Sequence, residues 1–152
     1  MTNSRADSSI PKEGDVAYFV KLHLDTLQMT GTHPSRPDHW LYSLEGKSRP
    51  MLVIRLLPER VRGRRWFRVL PITSKGSDGN GKQKNGVEPI GNCLDPAVLS
   101  FVELEPQVLP ENMICRKSDG QLDRVTPCDP SSFANAVKVL MVRMYKSMRT
   151  KD

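Results

Sequence analysis

The chain has 152 residues, 38% hydrophobic and 26% charged, with a net charge of +6, which fits a single domain with one real core. No apolar run approaches membrane-spanning length, and the polar opening from Met1 to Ser9 has no signal-peptide core, so neither insertion nor secretion is expected. Cys93, Cys115 and Cys128 are odd in number and lack metal-ligand spacing; they read as reduced thiols of a cytoplasmic protein with no metal and no cofactor.

Taken in chain order, residues 1–12 form a polar lead-in, expected to be disordered, that ends near Pro11. Val16, Tyr18, Val20, Leu22 and Leu24 alternate with Ala17, Phe19, Lys21 and His23, a period of two that predicts a strand with one buried face. The pattern fades among Gly31, Pro34 and Pro37, so a long inserted loop is expected over about 26–46. Met51 to Leu57 is an apolar run broken only by Arg55, as a central strand requires. A charged turn around Gly63 leads into a third strand, Trp66 to Ile72. Four glycines between Ser74 and Gly86 predict a second inserted loop over about 75–97. Further strands are expected at Val98 to Leu104, Gln107 to Cys115 and Leu122 to Val125.

The period then changes. Asp129 suits an N-cap and Pro130 a first helical residue. Phe133, Val137, Leu140, Met141, Met144 and Met148 recur at spacings of three and four, predicting an amphipathic helix whose methionine-rich stripe packs into the core. A partner-binding face is the second reading of that stripe. The predicted fold is mainly β (α+β): a small antiparallel β-barrel over 13–149, closed by the C-terminal helix.

Two patches carry chemistry. Arg49-Pro50 opens the apolar run after Lys47-Ser48, and Pro71-Ile72-Thr73-Ser74 ends the next strand. Proline tolerates the first strand position and holds the preceding arginine extended. A fixed guanidinium and two hydroxyls at one sheet rim would suit a phosphate. Together with Gly14-Asp15-Val16 before the first strand, these patches resemble the MazF/PemK family of toxin endoribonucleases. The likeness spans residues 11 to 145, with only these three short segments distinctive. It implies an SH3-like barrel, a homodimer, a cognate antitoxin and metal-independent cleavage of single-stranded RNA, as messenger RNA.

In that family the arginine matching Arg49 is catalytic and the threonine matching Thr73 positions the scissile phosphate; Ser74 is a weaker candidate for the same work. Some members carry Arg-x-Asp on the fourth strand for acid–base chemistry. Here the stretch reads Val102-Glu103-Leu104-Glu105, so Glu105 stands where the carboxylate would be and Glu103 replaces the arginine. Charge is uneven: residues 47–75 hold 9 basic and 1 acidic side chains, a net +8, which suits a polyanion. Arg55, Arg62, Arg64, Arg65, Arg68 and Lys75 are therefore expected to hold RNA, with Trp40, Trp66 and Phe67 as stacking candidates. The missing arginine and the long insertion leave a second reading open, a non-catalytic barrel module that binds RNA or a protein. His23, His33 and His39 fit no usual metal spacing.

Overall fold

The computed structural model describes residues 10–149. Seven strands run in the order β1 (Asp15–Thr32), β2 (Trp40–Leu56), β3 (Trp66–Thr73), β4 (Val87–Asp95), β5 (Val98–Glu103), β6 (Gln107–Pro110) and β7 (Val125–Pro127). A short 3-10 turn, Glu111–Met113, follows β6, and one helix, α1 (Pro130–Arg149), ends the described chain. The fold is mainly β with a C-terminal helix, as the alternation and the late change of period predict.

All pairings are antiparallel, in the sheet order β4-β5-β3-β2-β1-β7 with β6 also on β3. Strand β3 is the hub. Its end at Ile72 and Thr73 pairs with β5, and its start, Trp66 to Val69, pairs with β6. The chain between those two partners bends at Leu104, Glu105 and Pro106, which curls the sheet toward a barrel. The sheet does not close: β4 and β7 end the order, and just after β7 the Cys128 thiol lies 4.0 Å from the Ile90 carbonyl of β4.

Both faces of the central strands are covered, which explains the unbroken apolar run Met51-Leu52-Val53. Ala17, Phe19, Met51, Val53, Phe67, Val69 and Ile114 fill one side, with Phe19 and Phe67 edge to face at 6.0 Å. Val16, Leu52, Leu70, Ile90 and Val102 form the other side, where Ala136 and Leu140 of α1 dock. Burying each such large side chain contributes about 1.5–3 kcal/mol. Asp129 caps α1, its Oδ2 accepting the Ser132 N–H at 3.0 Å and the Ser131 hydroxyl.

Several expectations are corrected. The loop over 26–46 is a β-hairpin arm: β1 and β2 pair out to Thr32 and Trp40, and only 33–39 is a turn. Register shifts between His23 and Gln28 and between Met29 and Gly31 scrambled the alternation that would have revealed it. The loop over 75–97 keeps its first half, but Val87 onward is β4. The strand expected over Gln107 to Cys115 stops at Pro110, and the last strand is Val125–Pro127, beyond the expected 122–125. The methionine stripe is not core. Past Leu140 the helix is exposed, with Met141, Met144 and Met148 at 65%, 42% and 70%. Of the lead-in, residues 1–9 lie outside the described residues, whereas Ile10 packs on the core around Phe19 and Phe67 and Pro11 is buried.

Candidate functional site

Strands β2 and β3 pair as Met51 with Pro71 and Leu52 with Leu70. Continuing that register by two residues sets Arg49 opposite Thr73, and opposed residues point to the same face. Thr73 in turn pairs with Phe101, and Arg49 with Phe19. One row thus crosses four strands, Phe19–Arg49–Thr73–Phe101, along the rim of the core that holds Phe19 and Phe67. Phe19 and Phe101 are buried, so the two polar side chains between them are held on a rigid floor.

Two cavities open on this rim. The larger, about 450 Å³, is lined by Arg49, Thr73, Ser74, Lys75, Asp95 and Ser100 among others. The smaller, about 210 Å³, is lined by Lys21, Arg49, Pro71, Thr73, Glu103 and Gln107 among others. Arg49 and Thr73 line both. The Lys75 N–H donates to Thr73 Oγ1 at 3.0 Å, the Thr-Ser turn expected of such a strand end. That bond occupies an acceptor site of the hydroxyl and leaves its proton free to donate outward.

The sheet geometry treats the other expected residues differently. Lys75 and Ser74 belong to the larger cavity. Glu105 lies in the bend after β5 and lines neither cavity; Glu103, one alternation earlier, shares the smaller one with Arg49. The bend at Leu104 to Pro106 breaks the spacing on which the Glu105 assignment rested. Among the described residues the one ion pair is Arg124 with Asp123, so Arg49 has no such partner.

The basic segment also divides in space. Arg55 and Arg68 face each other across β2 and β3, and Arg62, Arg64 and Arg65 lie in or beside the connecting turn. Arg55 is six residues along β2 from Arg49, roughly 20 Å at 3.3 Å per residue. Those five arginines occupy the opposite end of the hairpin from the cavities. Of the stacking candidates, Phe67 is buried core, Trp66 is at that far end with its indole N–H 3.4 Å from the Val61 carbonyl, and Trp40 is exposed near the arm tip.

Lys21 was not anticipated as a site residue. It is on β1, where the alternation located the strand but not its buried face: Ala17 and Phe19 are buried, while Leu22 and Leu24 are exposed because the strand runs out into the arm. Its partner Lys47 precedes Arg49 by two; the even spacing of Lys47 and Arg49 was the available signal. Gly14-Asp15 serves structure: Gly14 has φ +88° and its N–H donates to Val53 O at 2.8 Å, while Asp15 accepts the Lys12 N–H at 2.9 Å. Burial raises the Cys93 thiol, and burial together with the neighbouring Cys93 and Asp129 charges pushes Cys128 up to about 11, so neither is set up as a nucleophile. His33 and His39 stack edge to face at the arm's turn, and among the described residues no three metal-ligating side chains gather. No described helix is long and apolar enough to cross a membrane.

Compared with known proteins, the chain matches no family and no curated relative.

Proposed function

We propose that this protein is a metal-independent endoribonuclease that cuts single-stranded RNA at the rim between β2 and β3. The observation that carries the reading is that Arg49 and Thr73 line the same two cavities. RNA supplies its own nucleophile, since the 2′-hydroxyl can attack the adjacent phosphorus and expel the 5′-oxygen, leaving a 2′,3′-cyclic phosphate. The protein then has to stabilise charge on the phosphorane and move protons. Arg49 is suited to the first task, with the free Thr73 O–H and the Ser74 hydroxyl as additional donors. Glu103 shares the smaller cavity with both groups and Asp95 shares the larger; because Asp95 already accepts the Ala97 N–H, Glu103 is the better placed to take the 2′-proton.

The three MazF/PemK-like motifs support the same chemistry and extend it to a growth-inhibiting toxin held by an antitoxin and acting as a homodimer. The exposed apolar end of α1, with Met141, Tyr145 and Met148, offers surface for such an association. One observation favours a non-catalytic RNA-binding module instead: Glu103 beside Arg49 competes with phosphate for the guanidinium.

The test is incubation of a defined single-stranded RNA in EDTA. Wild type should give fragments with cyclic phosphate ends. Arg49→Ala should lose 10²–10³ in rate, equivalent to about 2.7–4 kcal/mol for a preorganised donor. RNA that is bound but stays whole under excess protein would select the non-catalytic module, and full activity in Arg49→Ala would remove the assignment.

A further inference from the structure

The hairpin arm presents two unlike faces. Paired residues share a face, and successive pairs alternate. Arg49 pairs with Phe19, Lys47 with Lys21, and Glu45 with His23. These three rows share one face, which begins at the site rim and climbs the arm. Leu22, opposite Gly46, begins the other face, and Met29 with Tyr42 continues the exposed apolar side of the arm beyond the register shift. The polar face therefore carries Arg49, then the Lys47–Lys21 pair, then the Glu45 carboxylate.

We propose that this face binds the phosphate next to the one held at Arg49, so that the site takes a strand with at least two consecutive phosphodiesters in place of a dinucleotide. The proposal rests on the reading of the Arg49 cavities as a phosphodiester site. Two residues advance a strand by about 6.6–6.8 Å, comparable with the step between neighbouring phosphates of an extended nucleic-acid strand. Lys47 is one such step from Arg49. Lys21 lies across from it and also lines the smaller cavity, joining the two positions.

Two like charges directly opposite on a strand pair are unfavourable, and a bound anion relieves that repulsion. Among the described residues neither lysine has a carboxylate within ion-pair distance. Glu45 sets the end of the run. Its carboxylate, one row further out, repels a third phosphate, so the gain in affinity is confined to the first added phosphate. The competing anions on the site side are Glu103 and Asp95; Asp95 already accepts the Ala97 N–H at 2.9 Å.

The experiment measures binding of 2′-O-methyl oligonucleotides, which lack the nucleophile and remain whole. Di-, tri- and hexanucleotides of one base are titrated by fluorescence anisotropy at several salt concentrations. Wild type should tighten several-fold from di- to trinucleotide and gain less per phosphate beyond. In Lys21→Ala/Lys47→Ala, verified as folded by circular dichroism, the di-to-trinucleotide ratio should collapse toward one. The salt slope for the trinucleotide should fall by about 0.7, the value for one phosphate contact on a single strand. A double variant that retains the full ratio and slope overturns the proposal while leaving the Arg49 site standing. Folded wild type that binds no oligonucleotide overturns both, and binding that is intact in Arg49→Ala but lost in the double variant moves the anchor to the arm and overturns the arrangement proposed.

Discussion

Replacing Gly76 by alanine tests how the strand-end turn is pinned against the rim. A Cβ at Gly76 would clash with the Phe101 ring, closer to three of its carbons than van der Waals contact allows. That ring is 5% exposed and pairs across the sheet with Thr73, so it cannot swing away into solvent. The turn carrying Ser74 and Lys75 must back off instead, against the Lys84 N–H bond to the Gly76 carbonyl at 2.7 Å. Overpacking of this kind costs about 1–3 kcal/mol, and a domain of this size loses about 2–4 °C per kcal/mol, so Tm should fall by about 2–12 °C. Because the displaced groups form the larger cavity, oligonucleotide binding should weaken in parallel. Thermal melts followed by circular dichroism, with anisotropy on the same samples, measure both. A variant melting within about 1 °C of wild type with unchanged binding would refute the close contact of turn and ring and the coupling argued from it.

Other variants separate neighbouring roles. Glu103→Gln should lower RNA cleavage by about 10²–10⁴, the range for a positioned base, while binding of uncleavable RNA holds or improves because a competing charge is gone; Glu105→Gln should change neither, and gel assays with anisotropy distinguish them. Asp129→Ala should lower Tm by removing the cap of α1. Hydrogen bonds from the Ser131 hydroxyl and the Ser132 N–H hold the Asp129 carboxyl below its ordinary value. Its contribution is therefore complete above the unfolded aspartate pKa and is lost as pH falls through the lower folded value. Melts of wild type and variant should converge in acid, and a Tm difference that persists unchanged there would contradict the cap.

Much of the fold is legible in the sequence because its signals are local. The alternation from Val16 to Leu24 marks β1, Met51 to Val53 marks the doubly covered β2, and Asp129-Pro130 marks the helix start. The arm was missed for a physical reason: shifts in register break the period of two, and Gly31, Pro34 and Pro37 look like a long loop when they serve a bulge and a short turn. The helix stripe misled because periodicity reports amphipathicity without saying what covers it, and the body ends near Leu140.

The site was half legible. Arg-Pro before an apolar run and Thr-Ser at a strand end pointed to Arg49 and Thr73, and antiparallel register brings them together; Pro50, expected to open its strand, lies inside β2 because the arm extends the strand back to Trp40. Glu105 lines neither cavity and Glu103 lines the smaller one, a difference set by the bend at Leu104 to Pro106, which is invisible in the residue pattern. The run of arginines was grouped with the site because sequence neighbours were equated with spatial ones. A hairpin reverses that logic: the residues nearest its turn are the farthest from its open end.

The most direct test of the central claim is a double-mutant cycle between Arg49 and Thr73, read as the affinity for an uncleavable single-stranded oligonucleotide. Arg49→Ala and Thr73→Val should each weaken binding, Thr73→Ser should restore most of the loss, and the double variant should fall short of the sum by about 0.5–3 kcal/mol, as contacting partners on one anion do. Losses that add to within about 0.3–0.5 kcal/mol would mean that the guanidinium and the hydroxyl grip no common phosphate.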